Sequence, residues 1–217
     1  MTLLDFARGP AMQWAFVIFG IGVAWRLVGM FLLLRDRAKA TARRDASLSD
    51  GTRAIIMRSL PPKELEHHVV FQHVSGYAWH IGFFITVLFF GPHMPFWKSI
   101  LGFDWPTLPS EVITVVGAIT IAVLISLLVR RLSHPVLRVI STADDYISVI
   151  VTILPLLTGL ISYANIGFNK ETNLALHLLS IVLVLVWFPF GKLMHMIMTM
   201  PARFQAGTAY GRRGVKA

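Results

Sequence analysis

The chain has 217 residues, of which 55% are hydrophobic and only 14% charged, and its formal net charge is +9. Soluble domains carry about 25% charged residues, so this composition excludes an ordinary soluble fold. Cysteine is absent, which excludes disulfides, thiolate-held iron–sulfur clusters and cysteine-based zinc sites within the chain.

The apolar residues fall into five blocks, each close to the roughly 20 residues that a helix needs to cross a bilayer. They predict an all-α integral membrane bundle, a single domain over 1–217, with five transmembrane helices at about 11–34, 69–91, 111–129, 145–163 and 174–198. Pro10 suits the first helix start. No cleavage-site pattern precedes that block, so the first span is expected to stay in the mature chain. A basic loop follows it, with Arg35, Arg37, Lys39, Arg43, Arg44, Arg53, Arg58 and Lys63, and Pro61-Pro62 breaks any helix there. The second span closes in Gly91-Pro92, and a loop with Pro95, Pro106 and Pro109 leads to the third, which ends at Arg130-Arg131 and Pro135. Before the fourth, Ser141 with Asp144 or Thr142 with Asp145 would make a capping box. The fifth follows a polar loop, and 203–217 reads as a mobile basic tail.

Charge sets the orientation. Fifteen Lys and Arg fall in the loop after helix 1, the loop after helix 3 and the tail, whereas the opposite side has only Arg8, Lys98 and Lys170. The positive-inside rule then puts the N-terminus outside and the C-terminus in the cytoplasm. The same rule accounts for the net charge without nucleic acid.

Histidines are the polar residues of interest, because polar groups inside spans are costly and mark function. His177 and His195 are eighteen residues apart, which in one helix is five turns: one face, about 27 Å apart. The second span carries His80, with His93 just beyond it. The two spans run in opposite directions, so as neighbours they would bring His80 to His195 near the cytoplasmic side and His93 to His177 near the outer side. Two such pairs suit two haem irons stacked across a bilayer. His80 and His93 are only about 20 Å apart at helical rise and on different faces, unless Gly91-Pro92 unwinds the helix. One haem is therefore an alternative to two. The competing reading of each histidine is an interhelical hydrogen-bonding group. Arg26 reads as a partner for a haem propionate or a snorkelling interfacial residue. Lys98 reads as a quinone hydrogen-bond donor or a solvated loop lysine.

The stretches His80-Ile81-Gly82-Phe83, Arg130-Arg131-Leu132 through Ser141-Thr142 and Asp144, Phe188-Pro189-Phe190-Gly191-Lys192-Leu193 leading to His195, and Trp25-Arg26 resemble the gamma subunit of respiratory nitrate reductase. They are similar also to the membrane cytochrome b subunits of sulfite-reductase-associated and heterodisulfide-reductase-like complexes. The resemblance implies b haems, with His80 and His195 on the inner one and His177 on the outer one. It also implies a quinol site near the outer haem and a cytoplasmic iron–sulfur or heterodisulfide-reductase-like partner. The nitrate reductase pattern has its second helix 2 histidine where this chain has Phe90, and His93 is the nearest replacement, as in the sulfur-associated branch. The expected function is electron exchange between the quinone pool and that partner, with terminal catalysis in another subunit. The alternative is a haem-free membrane anchor, or a small-solute or proton carrier with structural histidines.

Overall fold

The computed structural model describes residues 1–35, 41–45, 47–61 and 66–215, and of 33–35 and 66–68 the backbone only. Arg37, Lys39, Pro62, Lys63 and Lys216, and the side chains of Arg35, His67 and His68, lie outside the described residues. Those described form helices and connecting turns, without a strand. Among the described residues, four helical stretches are long and apolar enough to cross a membrane: Leu3–Leu32, Ser110–Ser133, Ala143–Ala164 and Lys170–Trp187. That is the pattern of a multi-pass membrane protein.

The first helix starts earlier than expected. Thr2 and Asp5 form a reciprocal capping box that opens α1 (Leu3–Phe6), a π turn follows at Ala7–Ala11, and α2 (Met12–Arg35) continues it. Pro10 lies inside the π turn and does not mark the helix start. Proline cannot donate to the carbonyl four residues back, and a widened turn absorbs the mismatch. The basic loop contains a helix, α3 (Leu48–Met57), opened by Ser47 and Asp50.

Next comes α4 (Glu66–Phe89), as long as a span but interrupted by polar Gln72, His73, Ser75 and His80, and it is not one of the four apolar stretches. A 3-10 turn (Gly91–His93) and α5 (Met94–Leu101) occupy the proline-rich loop. The third block is α6 (Ser110–Ser133), followed by short α7 (Pro135–Ile140). Of the two candidate capping boxes, Thr142 with Asp145 forms, opening α8 (Ala143–Ala164).

The fifth block is not one helix. α9 (Lys170–Trp187) ends before Pro189, an extended Gly191 and a 3-10 turn follow, and α10 (His195–Arg212) starts afresh. Proline at 189 lacks an N–H, and its ring would meet the carbonyl four residues back in a continued helix. The expected single helix over 174–198, and with it the five-turn rule linking His177 to His195, does not hold. The stretch read as a tail from Arg203 is helical to Arg212, with Gly207 and Gly211 buried.

The chain divides into two compact units, 1–17 with 71–187, and 18–70 with 188–217. In the first, Ile121 and Leu124 of α6 pack with Leu156 of α8 against Trp79 and Phe83 of α4. Gly82 lets α4 approach Thr120, where any added Cβ would overlap the hydroxyl. Arg131, at the end of α6, reaches Asp145 at 3.0 Å and Ser141 at 2.9 Å, tying the α8 cap to α6. In the second unit α3 packs on α10 through small residues. Phe204 covers Gly51, and Gly207 abuts Ala54 and the Asp50 carbonyl. Arg203 donates to Ser59 at 2.7 Å, and Arg58 lies over the Tyr210 ring.

Candidate haem-ligand and quinone site

The first unit brings His93 and His177 together. α4 stops at Phe89, leaving the last carbonyls of the helix without amide partners. Side-chain donors from the following turn and loop supply them. His93 Nδ1–H donates to Val87 O at 3.1 Å, Trp97 Nε1–H to the same oxygen at 3.0 Å, and Trp105 Nε1–H to Leu88 O at 2.9 Å. The Leu108 amide donates to Phe89 O, and Phe90 pairs with Leu108 in an isolated bridge. This cap folds the chain back on the end of α4 and removes His93 from the helical register that made its spacing awkward.

His177 sits on α9 opposite α8. Gly159 of α8 makes room for it, since a Cβ there would lie 3.2 Å from the ring. Thr158 Oγ1 is 3.3 Å from His177 Nδ1 and 2.9 Å from Ser180 Oγ, and Ser180 donates to His177 O at 2.6 Å. Both rings are mostly covered. The two imidazoles are parallel to within 8°, with ring centroids 6.2 Å apart. Phe90 stands edge-on to His93 and to Tyr163.

Two covered imidazoles brought together from different elements are residues that could hold an iron porphyrin. Ligating imidazoles usually give the second ring nitrogen to a carbonyl or similar acceptor, which fixes the tautomer. His93 does so through Nδ1. His80 Nδ1 donates to Gly76 O at 2.6 Å and His195 Nδ1 to Lys192 O at 2.7 Å. Thus His80, His93 and His195 each anchor Nδ1 on a backbone carbonyl, the tautomer that turns the other nitrogen into a base. Among the described residues no group of three or more His, Asp or Glu side chains is placed to hold a metal ion. A pair of imidazoles is a donor set that could hold an iron porphyrin.

His80 belongs to the first unit, on α4, and His195 to the second, at the start of α10. In the second unit His195 lines a 440 Å³ pocket with Arg26, Lys192, Met194 and Met198. The α9–α10 break supplies Gly191, Lys192 and Met194 to it. In the same unit Pro189 seats on Gly22 of α2, where a Cβ would come within 2.6 Å, and Phe188 packs on Phe19 at 5.2 Å. Arg26 follows Gly22 by one turn and so faces the same side. A cationic rim beside an imidazole in an apolar pocket suits a ligand with an apolar plane and carboxylate edges.

Lys98, on α5, is exposed and pairs with Asp104 at 2.8 Å. This contact holds the Lys98 ammonium above its ordinary pKa and the Asp104 carboxyl below its own. Gly159 and Thr158 are not singled out by the sequence, and Lys192 enters there only within the Phe188–Leu193 stretch. The only signal for the first two was a small pair, Thr158-Gly159, inside an apolar helix.

No family model matches the chain, and no solved structure matches it. It is 29% identical over 142 residues to a curated protein of Nitratidesulfovibrio vulgaris described only as "Protein". The match covers 65% of this chain and 62% of that one, so the chain spans less than two thirds of the relative's length.

Proposed function

We propose that this chain is a haem b-binding membrane subunit that exchanges electrons between the quinone pool and a cytoplasmic iron–sulfur partner. The supporting observation is the His93–His177 pair, parallel at 6.2 Å and held from behind by Val87 O and Thr158 Oγ1. In this reading α4 is the fifth span, the N-terminus is outside and the basic segments are cytoplasmic. His93 and His177 would hold the outer haem, and the sequence resemblance gives His80 and His195 to the inner one. Arg26 and Lys192 meet propionate. A bound haem supplies reversible one-electron transfer. The residues of this chain orient the imidazoles, exclude water with Phe90 and Tyr163, and neutralise carboxylates at the pocket rim. Lys98 is the proposed quinone contact in the outer loop, and release from Asp104 would have to precede that role.

Pyridine haemochrome quantitation with a reduced-minus-oxidised spectrum tests the reading. Two haems per chain are expected. One haem removes one of the pairs, and none leaves the second reading, a haem-free anchor or carrier. The Thr158–His177–Ser180 hydroxyl cluster favours that second reading, since it gives His177 a purely structural hydrogen bond.

A further inference from the structure

α3 presents two unlike faces. Its inner face, Gly51 and Ala54 with Asp50, is closed against Gly207, Gly211 and Phe204 of α10. Its outer face carries Leu48, Thr52 and Ile56 at successive four-residue steps, with Met57 beside them, and Leu60 follows in the turn just after the helix. The three large residues of that stripe are 78%, 63% and 60% exposed. An exposed apolar stripe on a helix already packed on its opposite side needs a second covering.

The residues around the stripe indicate what covers it. A shallow basin of about 610 Å³ lies along it, lined by Arg44, Arg53, Asp50, Ser49, Thr52, Ile56 and Met57. Asp50 is occupied: Arg44 reaches it at 2.7 Å, and its carboxylate accepts from the Ser47 amide. Arg53 has no carboxylate partner among the described residues, and Arg43 and Arg58 add positive charge nearby in sequence. Apolar side chains flanked by arginines on a short helix are the features of a segment that lies in the headgroup layer. Chain connectivity agrees, since only residues 33–47 separate the apolar stretch Leu3–Leu32 from α3.

We propose that α3 is an in-plane amphipathic helix, with the Leu48–Ile56–Leu60 stripe entering the lipid surface while Arg53 holds an anionic phospholipid headgroup. α10 then acts as its backing on the protein side. Anionic lipid is the occupant because the unpaired charge at the basin is cationic and the stripe beside it is apolar. The inference rests on the membrane-spanning part of the proposed function and is independent of haem.

The absence of cysteine permits single labels without background. Leu48→Cys, Ile56→Cys and Leu60→Cys would each carry a nitroxide in the full chain. Each would be reconstituted in nanodiscs of phosphatidylcholine alone or with phosphatidylglycerol. Power saturation is expected to show all three labels reached better by oxygen than by a water-soluble nickel chelate. The preference is expected to strengthen several-fold with phosphatidylglycerol and to lose that lipid dependence in an Arg53→Gln background. Labels that favour the chelate in both bilayers would overturn the proposal. Labels shielded only after a soluble protein partner is added would overturn it too, and would make the stripe a protein-docking face. Haem counts on the same samples are expected to stay at the wild-type value, so failure here is distinguishable from failure of the haem reading.

Discussion

The ring planes of His93 and His177 lie within 8° of each other at a centroid distance of 6.2 Å, although the two residues come from a 3-10 turn and an α-helix on different parts of the chain. If one iron lies between them, neither imidazole can hold it alone. His93→Ala and His177→Ala are each expected to lower the haem count by one, to remove the same spectral component, and to be no worse in combination. Loss of different components from the two variants would separate the pair.

Gly159 supplies the space that His177 occupies. Gly159→Ala brings a Cβ to 3.2 Å from the ring, so the imidazole must shift by a few tenths of an ångström. Overpacking of this kind costs about 1–3 kcal/mol, and the helix preference of alanine over glycine returns about 1. The expected variant is therefore folded with near-normal thermal stability, but its outer haem has a shifted potential or partial occupancy. A redox titration indistinguishable from wild type would count against the site.

Arg131 and Asp145 form a largely buried ion pair, the carboxylate being only 8% exposed. Removing one partner leaves an uncompensated charge, an effect of about 3–5 kcal/mol for a fully buried pair and less here, where the arginine is partly open. Arg131→Met is expected to cost about 2–3 kcal/mol in detergent unfolding. Arg131→Met combined with Asp145→Asn should recover part of that loss, and strict additivity would show that the two do not act as a pair.

The Lys98–Asp104 contact makes a pH prediction. The side-chain hydrogen bond and charge of Lys98 lower the Asp104 carboxyl from 3.8, and Asp104 raises the Lys98 ammonium from 10.5. A depressed carboxyl stabilises the loop above its ordinary range and loses that contribution as pH falls through it. A raised ammonium stabilises below its ordinary range and loses it as pH climbs past. The pair should thus persist across the neutral window. Carboxylate infrared titration of Lys98→Met against wild type should move the Asp104 band back toward its ordinary midpoint.

Gly207 lets α10 lie close against α3, where a side chain would overlap Ala54 and the Asp50 carbonyl. Gly207→Val is expected to separate the two helices, seen as faster proteolysis within 41–61 while the haem spectrum is retained. Unchanged protection would mean that the glycine contact does not hold α3 in place.

Much of this architecture is legible from residue pattern. Apolar block length locates α6, α8 and most of α2, and the Thr142–Asp145 cap was readable because a hydroxyl and a carboxylate at that spacing satisfy orphan amides. The α9–α10 break was missed although Pro189 announced it, because the even spacing of His177 and His195 argued for one helix. α3 was hidden inside a stretch that reads as charge, since its short apolar repeat is weaker than its arginines. His93 shows the opposite case. Its helical spacing looked wrong, and the conditional escape, unwinding at Gly91-Pro92, is what the chain adopts. The orienting groups behind the histidines are backbone carbonyls, which no side-chain pattern announces.

The interruption at Pro189 and Gly191 has a consequence for how the molecule breathes. A continuous helix would couple the opening of its two ends through one ladder of amide bonds. Here the ladder is cut, so α10 can fray or exchange its amide hydrogens while the amides around His177 stay closed, and amide protection should fall in two steps along this stretch of chain.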